Sequence, residues 1–135
     1  MERKLGGATR DAYGLTLVEL GKENPRVVVL DADLSKTTRT EYFGKAYPDR
    51  FIDIGIQEAN LVGIASGLAS CGKIPFISSF ACFLMNKGYE QIRMGVAFPA
   101  LNVKIVTSHG GISVGEDGAS QQSIEAFALA LTLPN

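Results

Sequence analysis

The strongest constraint on this chain is the regular alternation of short β-branched runs with helical periodicity. RVVVLDAD (26–33), FIDIGI (51–56), KIPFISSF (73–80) and NVKIVTSH (102–109) each have the length and composition of a buried strand. Between them, 8–22, 57–72 and 84–97 repeat their apolar residues at helical spacing. A weaker helix is predicted over 40–47, closed by Pro48-Asp49, and an apolar helix near 122–131. Strands alternating with helices predict an α/β fold, a mainly parallel open sheet with helices on both faces.

Ligands of such sheets bind beyond the carboxyl ends of the strands. The predicted strands end in Asp31 and Asp33, in Asp53 followed by Glu58, in Ser78, Ser79 and Phe80, and in Ser108 and His109. Polar and aromatic residues thus collect on one sheet edge. Gly63 and Gly67 lie four apart on one face of helix 57–72. Each weakens that helix by about 1 kcal/mol relative to alanine, so close packing of another backbone is expected there.

Composition narrows the function classes. With 13 basic against 14 acidic residues the net charge is −1, and there is no electrostatic footprint for nucleic acid or a membrane surface. Two cysteines and one histidine supply neither a disulfide scaffold nor a zinc-ligand cluster, so no metal site is expected in the chain itself. Few cysteines and no signal-like apolar start indicate a reducing, cytoplasmic setting. The 135 residues fit one domain.

The loop HGGISVGEDG has neither the lysine of a phosphate loop nor the G-x-G-x-x-G of a dinucleotide fingerprint. Glu116 and Asp117 would repel a phosphate there. Read alone, it is a turn between strand and helix. Glu58, read alone, is an acid stabilised by a helix N-terminus, an effect of about 0.3–1 kcal/mol. Cys71 and Cys82 read as small hydrophobes.

ATRDAYG, VVVLDADLSKTT, RFIDIGIQEANLVGIASGLA, PFISSFACF, YEQIRM and SHGGISVGEDGASQQ occur in that order and span nearly the whole chain. Together they resemble the pyrimidine-binding (PYR) domain of transketolases, most of all the C-terminal subunit of the two-subunit bacterial and archaeal form. The resemblance implies one PYR domain of the thiamine diphosphate-binding fold over 1–135, with the diphosphate-binding and C-terminal domains absent; the next domain would follow Leu133-Pro134-Asn135. It implies ketol transfer between sugar phosphates. It also implies thiamine diphosphate shared with a diphosphate-binding N-terminal subunit or domain, which would hold the accompanying Mg2+ or Ca2+, and a homodimer through PYR domains, with helix 57–72 as the candidate contact.

Site residues follow from the same resemblance. Glu58 matches the glutamate that shares a proton with the aminopyrimidine. Phe83 matches the ring that stacks on it. Phe80 and Tyr89 line the pocket, and Asp33 and Leu34 form the loop beside the cofactor. Arg10, Thr37 and His109 match residues that bind the sugar-phosphate, and Asp117 matches one that reads a sugar hydroxyl. At Gln121 the family usually has a histidine; glutamine donates a hydrogen bond but takes up no proton at neutral pH. The alternatives are the PYR domain of another thiamine enzyme, such as a deoxyxylulose-phosphate synthase, and a non-catalytic assembly or regulatory module.

Overall fold

A computed structural model describes residues 6–135. Four strands form one all-parallel sheet in the order β2-β1-β3-β4: β1 (Val27–Asp31), β2 (Phe51–Asp53), β3 (Ile74–Phe80) and β4 (Lys104–Ser108). β1 is buried along its whole length, which is why its VVVL run does not alternate with polar residues. Its side chains point by turns into two cores.

On one face, Val27 and Val29 pack with Leu17 of helix α1 (Thr9–Glu23) and Phe43 of helix α3 (Glu41–Ala46). On the other, Val28 and Leu30 meet Leu61, Val62 and Ala65 of helix α4 (Glu58–Ser70) and Leu84 and Met85 of helix α5 (Ala81–Lys87). The sheet is therefore covered on both faces, as the alternation predicts.

Several boundaries differ from the sequence reading. A short helix α2 (Ser35–Thr38) forms in the β1–β2 connection, where side-chain hydrogen bonds rather than periodicity organise the chain. The helix expected over 84–97 starts directly after β3. Gly88 interrupts it, and it continues as α6 (Tyr89–Gln91) and a π-helical stretch, Ile92–Ala97. The last helix, α7 (Ala126–Leu131), is shorter than expected. Gly111 and Ser123 pair as an isolated antiparallel bridge and keep 111–123 a closed loop.

The glycines also read differently. An added Cβ at Gly63 or Gly67 would meet nothing within 4 Å, so among the described residues no backbone packs against that face of α4. The close approach is on α1. Its buried stripe is Gly14, Leu17 and Gly21, while the apolar Leu15 is 60% exposed. A Cβ at Gly14 would lie 2.7 Å from the Arg39 carbonyl oxygen. Gly14→Ala should therefore lower stability by about 1–3 kcal/mol through overpacking, although alanine is the better helix former by about 1 kcal/mol. A thermal melt unchanged or raised would contradict this.

Among the described residues no helix is long and apolar enough to cross a membrane.

Candidate active site

The chain runs from β1 to β2 on one side, then crosses to β3 on the other, so the order reverses between β1 and β3. In parallel sheets the ligand crevice opens at such a point. The register sets Asp53, Asp31 and Ser78 side by side at this edge, with Phe80 opposite Ser108.

Glu58 is the first residue of α4, and its side chain is 1% exposed. The turn that delivers it is built on Asp53, whose Oδ1 accepts the N–H of Gly55 at 3.1 Å and that of Asp33 at 3.0 Å. Gly55 has a φ of 75°, a conformation that costs glycine little. Ser79 Oγ donates to Glu58 Oε1 at 3.3 Å, and Lys87 Nζ donates to Oε2 at 3.3 Å. Both bonds are long, so the carboxyl group keeps accepting capacity.

A ladder of rings crosses the same edge. His109 lies on Phe80 with centroids 3.9 Å apart, and Phe80 on Phe83 at 5.6 Å and 13°. Phe80 is buried at the end of β3, and Phe83 is half-buried one turn into α5. Offset stacks of this kind offer a flat apolar wall to a planar heterocycle.

Beyond His109 opens a cleft of about 680 Å³ lined by Thr9, Arg10, Tyr13, Thr38, Ser108, His109 and the Gly110–Gly115 loop, among others. Arg10 Nη1 donates to the Thr37 carbonyl at 3.4 Å, and His109 Nδ1 pairs with Ser108 Oγ at 2.9 Å. Burial, and after it the Arg10 charge, lower the His109 pKa from its ordinary value; Asp117 opposes them. The imidazole is therefore neutral at neutral pH. With the folded-state pKa depressed, His109 contributes stability above the ordinary imidazole value of ~6.5, and that contribution is lost as pH falls through the lowered one. The NMR titration midpoint of His109 should lie below that of a free imidazole, and Arg10→Ala should raise it. A midpoint unmoved by Arg10→Ala would contradict this electrostatic account.

The floor between the two halves is a buried polar network. Asp31 is fully buried and accepts from Leu34 N–H at 2.6 Å, Thr38 Oγ1 at 2.7 Å and Thr40 Oγ1 at 2.8 Å. Burial raises its pKa against the lowering effect of those bonds. Tyr13 OH pairs with Ser78 Oγ at 2.9 Å, and burial raises the phenol's pKa as well.

The structure thus groups the expected residues in two sets. Glu58, Phe80 and Phe83 form one; Arg10, Thr37 and His109 form the other; the Phe80–His109 stack joins them. Leu34 caps α2 with its N–H on Asp31, and Asp33 stands exposed at φ 62° with its N–H on Asp53. Asp117 and Gln121 lie on the 110–121 loop, where Asp117 is exposed and Gln121 accepts from Ser120. Tyr89 is half-buried in α6, and its hydroxyl is paired with Thr132 at 2.5 Å.

Ser79 is one of the polar strand ends expected at this edge, whereas Lys87 is a residue that the motifs do not point to. For Lys87 a signal existed: it lies four residues after Phe83, on the same helical face. Its Nζ is 5.0 Å from the Phe83 centroid. Both cysteines are free, and burial raises the Cys82 thiol.

The molecule is thus a parallel α/β domain that gathers a buried acid, stacked rings and an Arg10-lined cleft at its switch point. The family model "Transketolase, pyrimidine binding domain" matches residues 6–135, and the chain belongs to this family. A Methanocaldococcus jannaschii protein, provisionally named a transketolase C-terminal section, is 53% identical over 126 residues, 93% of this chain and 40% of that protein. Mouse transketolase is 44% identical over 128 residues, 94% of this chain and 20% of that enzyme. Among solved structures, one described as a split gene transketolase, inactive beta4 tetramer, has a TM-score of 0.83 at 55% identity, covering 97% of this chain and 42% of that one. Campylobacter jejuni transketolase gives 0.87 at 29% identity, covering 95% and 20%. The chain therefore spans between 20% and 42% of these relatives' lengths.

Proposed function

We propose that this chain supplies the pyrimidine-binding half of the active site of a thiamine diphosphate-dependent transketolase. The complete enzyme would move a two-carbon ketol unit from a ketose phosphate to an aldose phosphate. The observation that carries this reading is the buried Glu58 carboxyl group at the foot of an aromatic ladder that leads to the Arg10–His109 cleft. The residues fit the cofactor. A carboxyl group with spare accepting capacity suits a ring nitrogen that carries a proton, and the Phe83 and Phe80 faces suit a flat aminopyrimidine. When bound, thiamine diphosphate supplies the nucleophilic carbon that takes up the two-carbon unit.

In this reading Glu58 holds and returns a proton at the pyrimidine ring, in a site dry enough to keep that proton from bulk water. Phe83 fixes the plane of the ring, and Phe80 backs it. The Asp33–Leu34 turn lies beside the cofactor. Arg10 presents its guanidinium fork to the sugar phosphate, with Thr37 and neutral His109 as further hydrogen-bonding groups. Asp117 reads a sugar hydroxyl. Gln121 donates a hydrogen bond near the reacting carbonyl but relays no proton.

The diphosphate and its divalent cation are assigned to an N-terminal section supplied by a partner. The relative described as an inactive beta4 tetramer supports the reading that such a chain alone self-associates without activity. The open Gly63–Gly67 face of α4 is the proposed contact between PYR domains. The test is reconstitution. This chain, mixed with a diphosphate-binding transketolase section, thiamine diphosphate and Mg2+, should transfer ketol units, whereas either component alone should not. Absence of activity in the mixture, with both components folded and associated, would refute the assignment.

A further inference from the structure

We propose that Lys87 is a built-in competitor of the cofactor, an ammonium group that occupies both anchors of the aminopyrimidine until the cofactor displaces it. The inference rests on the functional reading above and adds a residue that reading does not use.

Three observations carry it. Lys87 Nζ is 3.3 Å from Glu58 Oε2, on the carboxyl group proposed to meet the pyrimidine. The same nitrogen lies 5.0 Å from the centroid of Phe83, the ring proposed to stack on it. The ion pair is also lopsided: the Glu58 side chain is 1% exposed and that of Lys87 is 54% exposed. A carboxylate with so little access to water needs a counter-charge, whereas the lysine, on a flexible stem, can rehydrate and leave.

The placement of the lysine is specified. Lys87 is the last residue of α5, where a cation is favoured by the helix dipole. Gly88 follows it, and a Cβ there would sit 2.7 Å from the Leu84 carbonyl oxygen and 3.2 Å from Val62. Glycine therefore lets α5 end against α4, with the Lys87 ammonium over the Phe83 ring.

One ammonium thus satisfies a buried acid and covers an aromatic ring, the two interactions a protonated aminopyrimidine would make. Both cannot be made at once. Binding then includes the cost of breaking this pair, and affinity is reduced by the fraction of molecules in which the pair is closed.

The experiment measures thiamine diphosphate binding, with Mg2+ present, to the complex of this chain with its diphosphate-binding section. Intrinsic fluorescence and stopped-flow association are the readouts. Lys87→Met keeps the apolar stem and removes the charge. It should tighten Kd by about two- to five-fold, the range expected for losing a half-exposed ion pair, mainly through faster association. Lys87→Gln should act in the same direction, and Lys87→Arg should retain the weaker wild-type affinity. An unchanged or weaker Kd in both neutral variants, with normal circular dichroism, would overturn the proposal while leaving the functional reading intact. Failure of the wild-type complex to bind thiamine diphosphate would overturn both.

Discussion

Glu58→Gln is expected to lower ketol transfer by the reconstituted enzyme by roughly 10²–10⁴-fold, the usual contribution of a positioned acid–base group, while the domain stays folded. Glutamine has nearly the same shape, and Ser79 Oγ still finds an acceptor oxygen at Oε1. What is lost is the capacity to hold and return a proton. Lys87 loses its counter-charge, but its side chain is 54% exposed and solvent receives it. Because the partner left behind is half-exposed, no uncompensated buried charge remains, so the thermal midpoint should not fall. Steady-state ketol transfer measured beside circular dichroism melts separates the two effects. Activity within ten-fold of wild type would refute the assigned role, and a collapsed melt would reassign Glu58 to structure.

The second large effect is expected at Asp31. Its carboxyl group accepts from Leu34 N–H, Thr38 Oγ1 and Thr40 Oγ1, all from the segment that crosses the sheet edge. Asp31→Ala would leave Leu34 N–H without its acceptor and take the carboxylate from both hydroxyls, which keep only the Leu34 carbonyl at 3.2 Å and each other at 3.1 Å; hydrogen bonds to a charged group are worth about 1.5–3 kcal/mol each. Relief of the carboxylate's own desolvation offsets part of this, so a net loss of about 2–4 kcal/mol is expected. The pH dependence has a definite sign. Because burial raises the folded-state pKa of Asp31, the native state binds the extra proton. The Asp31 contribution is then largest below the ordinary carboxylate value of about 3.9 and shrinks as pH rises through the shifted one. Denaturant melts of wild type and variant across that window should converge toward higher pH. The 32–40 segment also carries the Thr37 carbonyl that receives Arg10, so the KM for a phosphorylated donor should rise together with the loss of stability. Unchanged stability and KM would show that the network is decorative.

Much of the fold was legible in the chain because strand and helix periodicities differ and β1 carries the unbroken apolar run Val27–Leu30 before Asp31. Where prediction failed, the signal was absent from hydrophobicity. The buried stripe of α1 is Gly14, Leu17 and Gly21. Glycine contributes little to an apolar pattern, yet it permits the closest helix approach. Helix α2 forms through side-chain bonds to Asp31, which no periodicity records. The break at Gly88 reflects a steric limit set by Leu84 and Val62.

The site divides in the same way. By itself the sequence determined the parallel α/β class and the edge where the polar strand ends gather, and through motif resemblance it named Glu58, Phe80, Phe83, Arg10 and His109 as candidate site residues. It did so because periodicity and local motifs are properties of neighbouring residues. Only the tertiary structure decided that Phe80 and His109 stack, that Asp31 ties together the segment after β1, and that Lys87 reaches Glu58 from another helix. Those relations join residues 3 to 29 positions apart in the chain. Burial and distance across the fold, which set the strength of each charge and hydrogen bond, exist only once the sheet has brought its strand ends together.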